Sequence, residues 1–184
     1  GIIIQGANDL LIMIDNNPEC ITDIFISINI EKLTININNS INKMILFINT
    51  SLKIIYARGC QECEFNKKHM VKDDDAIGWE GNSFWDFLDF LPGDYWYNFY
   101  CKELVESIGK EKILSLKNIN INELEDGAII YNLNDDFLSE NIENRLQIEN
   151  EIVEKLGKEY FFNIKDKKTK FRHPERFQEY LNQL

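Results

Sequence analysis

Cys60 and Cys63 stand two residues apart and are followed by His69, which is how half of a zinc site begins. Zinc takes four ligands, and structural sites pair two such knuckles. Here the fourth ligand would have to come from Cys20, Cys101, His173 or an acid. As a redox pair the two cysteines lack the apolar or aromatic residues usually found between such thiols, and Glu62 disfavours a thiolate. Two loop thiols are the simpler reading. Cys101 with either histidine would make a nucleophile and base. That pair needs an electropositive setting, and Cys101 follows an acidic aromatic run, so a packed core thiol is expected. His173, before Pro174, reads as a helix cap, and His69 as a solvated loop residue. Asp73, Asp74 and Asp75 offer oxygen ligands of the kind Mg²⁺ or Ca²⁺ takes. Consecutive acids point in different directions, however, and the spacing of a calcium loop is absent. A phosphate-binding glycine loop, a nucleophile elbow and a dinucleotide fingerprint are also absent. We assign no catalytic residue, no metal ligand and no cofactor. A small cytoplasmic enzyme or metal-binding protein using Cys60, Cys63 and His69, or Asp73–Asp75, is the alternative reading.

Residues 73–100, DDDAIGWEGNSFWDFLDFLPGDYWYNFY, hold all three tryptophans of the chain, Trp79, Trp85 and Trp96. Asp73, Asp74, Asp75, Glu80, Asp86, Asp89 and Asp94 lie in the same window, with no Lys or Arg. Exposed Trp and Tyr beside acids are the composition of an interface hot spot facing a basic partner, and the charge would steer association with it. The competing reading is that most of these rings fill the core. The candidate contact residues are Asp73, Asp74, Asp75, Trp79, Glu80, Trp85, Asp86, Asp89, Asp94 and Tyr95.

These residues must be positioned by the elements around them. The first third of the chain reads as β. Residues 24–30 and 34–38 alternate Ile with Phe25, Ser, Asn or Thr, a period of two rich in β-branched residues. With 2–5, 9–14 and the hairpin that follows they predict an antiparallel meander. Residues 43–48 and 52–57, around Asn49-Thr50-Ser51, read as a second hairpin. Their rival is a helix over 41–56, because Ile41, Ile45, Ile48, Leu52 and Ile55 also follow 3–4 spacing. Gly59 ends the second strand. Residues 60–82 are polar and glycine-punctuated and read as a connector. A short helix over 84–90, stopped by Leu91-Pro92-Gly93, and a longer one over 94–108, ended by Gly109, are expected next. A strand is expected over 128–133, with a weaker one near 112–117. The clearest helix covers 137–156, with Phe137, Ile142, Leu146, Glu149, Val153 and Leu156 on one stripe and Gly157 after it. A last hairpin over 159–164 and 169–172 and a terminal helix from Pro174 complete the chain. The expected fold is α+β: an N-terminal antiparallel β-meander packed by middle and C-terminal helices, with a small C-terminal hairpin. It is read as one domain over 1–184, β-rich over 1–59, a connector over 60–82 and mainly helical over 83–184.

At 184 residues the chain is long enough for one substantial core. Its formal net charge of −11 argues against direct contact with nucleic acid, whose phosphates need Lys and Arg. A stretch of about 18–20 apolar residues, long enough to span a bilayer, is absent. The start, GIIIQGANDLLIMIDNN, lacks a basic segment and carries Asp9 among its apolar residues, so it does not read as a signal peptide. Four cysteines are too few for a disulfide scaffold and suggest reduced thiols in the cytoplasm.

The meander DLLIMID…CITDIFISINIEKLTI, the acidic window DDDAIGWEGNSFWDFLDF and the Trp-rich stretch after it together give a profile. It resembles that of the bacterial immunity proteins that neutralise polymorphic and contact-dependent growth-inhibition toxins. The resemblance covers most of the chain at the level of profile, without a diagnostic motif. It implies a non-enzymatic, one-to-one inhibitor of a cognate toxin domain, typically a basic nuclease, whose active site acidic side chains would plug. A phage or bacterial interaction protein with another target is the remaining alternative.

Overall fold

The computed structural model describes residues 2–5, 11–15, 23–27, 37–73, 76–81, 90–134, 137, 141–164, 179, 181 and 183. The fold is α+β, and the chain divides into two compact units, Gly1–Phe47 with Leu184, and Ile48–Gln183.

The first unit carries the first three strands of the expected meander. Strands β1 (Ile2–Gln5), β2 (Leu11–Asp15) and β3 (Asp23–Ser27) pair antiparallel in that order. The register aligns Ile4 with Ile12 and Ile12 with Ile26, so the isoleucines of the alternating pattern fall in rows across the sheet. On β3 the alternation reads directly as burial, with Ile24 and Ile26 half-buried and Phe25 and Ser27 exposed.

The second expected hairpin is not formed. A 16-residue helix, α1 (Ile37–Leu52), takes its place and also takes the last two positions of the expected 34–38 strand; 34–36 lie outside the described residues. Ile41 and Ile48 are half-buried and Ile45 is buried, so the 3–4 spacing prevails over β-branched content. The helix penalty of such residues is only a few tenths of a kcal/mol each. Asn49-Thr50-Ser51 is its last turn, and Lys53 closes it at φ 55, with the Asn49 side chain accepting from the Ile54 N–H at 2.9 Å.

The second unit is built on an antiparallel sheet of order β4-β7-β9-β8. Its strands are β4 (Tyr56–Gly59), β7 (Tyr97–Tyr100), β8 (Ile119–Glu123) and β9 (Ile129–Leu133). Between β4 and β7 run α2 (Glu62–His69) and the two-stranded hairpin β5 (Met70–Asp73) and β6 (Ala76–Trp79). The segment 60–82 is therefore a structured helix and hairpin over its described residues, not a connector. After β7 come α3 (Lys102–Ile108), which ends at Gly109 as expected, and α4 (Lys110–Leu114), which replaces the strand expected near 112–117. α5 (Ile142–Leu156) begins later than expected and ends at Gly157. Lys158–Tyr160 is a 3₁₀ turn, and Phe161 bridges Leu91, where a hairpin strand over 159–164 is expected. The expected helix over 84–90 and the strand over 169–172 lie outside the described residues, apart from Phe90. Glu179 and Leu181 of the expected terminal helix are helical.

The helix expected over 94–108 is half strand. Tyr97, Asn98, Phe99 and Tyr100 are buried on both faces of β7, between β4 and β9. A helix cannot bury aromatic side chains all round without lying deep in a core, whereas a central strand does so on its two faces. Rings that on a helix would be partly exposed thus form the core of this unit.

Candidate functional site

The β5–β6 hairpin presents a firm apolar pair to solvent. Its register places Trp79 opposite Met70 and Ile77 opposite Lys72. Residues two apart on a strand share a face, so Ile77 and Trp79 stand side by side, 60 % and 52 % exposed. The Trp79 indole N–H donates to the Asn66 side-chain oxygen of α2 at 2.8 Å, which fixes the ring without burying it. Glu80 follows, also exposed, and Asp73 ends β5 at the loop.

The base of this hairpin is tied inward by His69, the last residue of α2. The Glu80 N–H donates to the His69 carbonyl at 2.9 Å. The His69 ring places Nδ1 at 2.6 Å from the Glu80 carbonyl oxygen and Nε2 against the Tyr95 hydroxyl. Arg58 donates to the Tyr95 oxygen at 2.9 Å. These contacts fix the proton positions. A carbonyl only accepts, so Nδ1 carries hydrogen; in the neutral ring Nε2 then accepts from the Tyr95 O–H. The Phe162 ring stacks on His69 with centroids 5.7 Å apart. Gly81, at φ +71, comes so close to Phe162 that a Cβ there would overlap the ring. Gly81→Ala is therefore expected to cost about 1–3 kcal/mol, from the left-handed backbone and the displaced ring. Urea unfolding measures the loss, and an unchanged midpoint would contradict the close seating.

Beneath lies a buried charge cluster. Lys68 of α2 pairs with Glu64 at 3.3 Å and with Glu149 of α5 at 2.6 Å. It also donates to the Asp94 carbonyl and sits 4.1 Å from the centre of the Tyr95 ring. Arg145 contacts Glu64 at 3.3 Å and donates to the Phe137 carbonyl at 3.2 Å. The Asp94 carboxylate accepts from the Tyr131 hydroxyl, which in turn lies 2.9 Å from that of Tyr100. Burial pushes the Asp94 carboxyl up to about 7, against the opposing pull of the Tyr131 hydrogen bond and Lys68. Burial raises Glu149 still further, to about 9, with Lys68 opposing and Glu64 and Asp94 reinforcing. The Glu149–Lys68 approach is short yet poorly directed for a hydrogen bond, since both Glu149 oxygens lack a hydrogen-bond partner. Three carboxyls, those of Glu64, Glu149 and Asp94, thus lie near the two cations Lys68 and Arg145.

The expected contact residues separate into three groups. Trp79 and Glu80 are exposed together, and Asp73 ends the preceding strand of the same hairpin. Asp94 and Tyr95 are fully buried and are withdrawn from the contact surface: the first anchors Tyr131 and the second bridges Arg58 and His69. Asp74, Asp75, Trp85, Asp86 and Asp89 lie outside the described residues. Of the metal-like residues, Cys63 is exposed and Cys60 is half-buried with its thiol pushed up to about 12 by burial. His69 is buried rather than solvated, with both ring nitrogens engaged by Glu80 and Tyr95. Among the described residues no group of three His, Cys, Asp or Glu side chains could hold a metal ion. Cys101 is buried at the residue before α3, its thiol also pushed up to about 12 by burial.

Glu64, Lys68 and Arg145 escaped the sequence reading. The available signal was charge at core positions: Arg145 and Glu149 share the buried stripe of α5 with Ile142, Ile152 and Leu156. A charge on such a stripe implies a buried partner.

Compared with protein-family models, curated proteins and solved structures, the chain has no significant match. No helix among the described residues is long and apolar enough to cross a membrane.

Proposed function

We propose that this protein is an immunity-type inhibitor that binds a cognate toxin domain in the bacterial cytoplasm, with the β5–β6 hairpin and the acidic segment after it as the contact. The observation that carries this reading is the exposed Ile77–Trp79 pair, held by Asn66 and His69 and followed by Glu80. An aromatic ring held in place before binding loses little entropy on contact, the property of an interface anchor. The chain's −11 charge, with Asp73, Asp74, Asp75, Glu80, Asp86 and Asp89 around the hairpin in sequence, favours a basic partner, a nuclease domain above all. Such an inhibitor works by occlusion, its carboxylates standing where substrate phosphates would lie, and needs no cofactor.

Two substitutions test this. Trp79→Ala is expected to weaken the complex by about 2 kcal/mol or more, roughly 30-fold in Kd, while the far-UV spectrum stays that of the native protein. The pair Asp86→Lys and Asp89→Lys is expected to slow association and flatten its salt dependence. Unchanged affinity at both low and high salt in both variants would sink the proposed surface. A captured partner that is neutral or acidic would favour an interaction module with another target.

A further inference from the structure

Among the described residues, the His69 ring ties the base of the contact hairpin to Tyr95 in the core. His69 is fully buried and receives the Glu80 N–H on its carbonyl, while its Nδ1–H donates to the Glu80 carbonyl. Its Nε2 faces the Tyr95 hydroxyl, whose oxygen already accepts from Arg58. We infer that neutral His69 is the positioning residue that seats the Trp79 hairpin, and that protonating Nε2 unseats it.

The chemistry is that of one proton. With Nε2 protonated, both ring nitrogens donate, and the Tyr95 O–H loses its acceptor inside a buried site. The new cation also appears beside two others. Arg58 of β4 lies 5.0 Å from the Tyr95 ring centre, and Lys68 of α2 lies 4.1 Å from it. The acids facing this region are Glu64 of α2, Asp94 before β7 and Glu149 of α5, with Arg145 opposing them. Tyr56 and Cys60 of the β4 side are uncharged, since burial raises both. The Glu80 carboxyl is exposed, and among the described residues the rings of Phe65 and Phe162 also pack against His69. Protonating His69 therefore adds a cation in a buried region where burial also raises the Asp94 carboxyl and so favours its neutral form. The ring then moves out, and the Glu80 backbone and the adjacent Trp79 lose their seat.

The consequence for partner binding rests on the proposed function; the latch itself does not. The test uses the full chain alone, by ¹H–¹⁵N NMR between about pH 8 and about pH 5, the range in which an imidazole changes charge. The Trp79 indole signal is assigned with Trp79→Phe, and the protection factor of the Glu80 amide is followed beside the His69 ring signals. The expected result is a roughly tenfold or greater fall in Glu80 protection, together with a shift of the Trp79 indole, both tracking the His69 ring. His69→Asn keeps a donor near Nδ1 without the titration, and should hold both readouts constant. Asp94→Asn should leave the His69-linked transition in place. The latch is overturned if the His69 ring titrates while Trp79 and Glu80 stay unchanged, or if the transition survives in His69→Asn. Should His69→Asn fail to fold, the wild-type titration alone decides. A hairpin that releases on acidification in a protein with no toxin partner removes the proposed function and leaves the latch standing.

Discussion

Arg145→Ala is expected to destabilise the protein by about 3–5 kcal/mol, the cost of breaking a buried charge pair from one side. Arg145 and Glu64 are both fully buried and lie 3.3 Å apart. Removing the guanidinium leaves Glu64 with Lys68 as its remaining ion-pair partner in the described structure, and takes a donor from the Phe137 carbonyl. It also opens a cavity on the α5 stripe. A loss of this size lowers Tm by on the order of 10 °C in a chain of this length. The penalty is for an orphaned charge rather than a measure of what the pair contributes. Arg145→Met combined with Glu64→Gln is therefore expected to recover much of it. Differential scanning calorimetry on the two variants tests both statements. A single-variant loss below about 1 kcal/mol would place Glu64 and Arg145 in contact with water.

The stabilising contribution of the buried carboxyl cluster is expected to fall as pH rises from about 5 to about 8, opposite in sign to the charging of buried His69 over the same range. The sign follows from the raised carboxyls. Glu149 titrates at about 9 in the fold against 4.5 as an isolated group, so across that interval the native state holds a proton the unfolded chain has released. Stability then decreases with pH by up to about 1.4 kcal/mol per unit for each such proton. Asp94 adds a second contribution between 3.8 and about 7. The benefit is complete below both unfolded values and is lost as pH climbs through the folded ones. Urea midpoints across this range measure the slope, and Glu149→Gln, which carries its hydrogen permanently, should flatten the upper part. A slope unchanged by Glu149→Gln, or one shifted by it toward a steeper fall, would contradict the account of the cluster.

The parts of the fold that were legible in sequence share one property: one face apolar, the other wet. The alternation of β3 and the stripe of α5 are of this kind, and Gly109 and Gly157 mark helix ends through backbone conformations that other residues avoid. The failures share the opposite property. β7 is buried on both faces, so its run of aromatics carries no alternation. α2 buries Glu64 and His69, residues that any hydropathy pattern counts as solvent-facing, and so it read as part of a connector. In α1 two periodicities coexist in one run of isoleucines, and only tertiary packing selects between them. The candidate site divides in the same way. Trp79 and Glu80 could be found from composition, because an exposed anchor is conspicuous among acids. Asp94 and Tyr95 carried the same composition into the core. They are buried because Tyr131, Lys68, Arg58 and His69, distant in sequence, converge on them.

The most direct test of the proposed function is the Kd of the one-to-one complex between this protein and the polypeptide it captures from its own cells, measured for wild type and Trp79→Ala in parallel. The expected result is a basic toxin domain bound tightly by wild type and roughly 30-fold or more weakly by Trp79→Ala. Both proteins capturing the same polypeptides with the same affinity would contradict it.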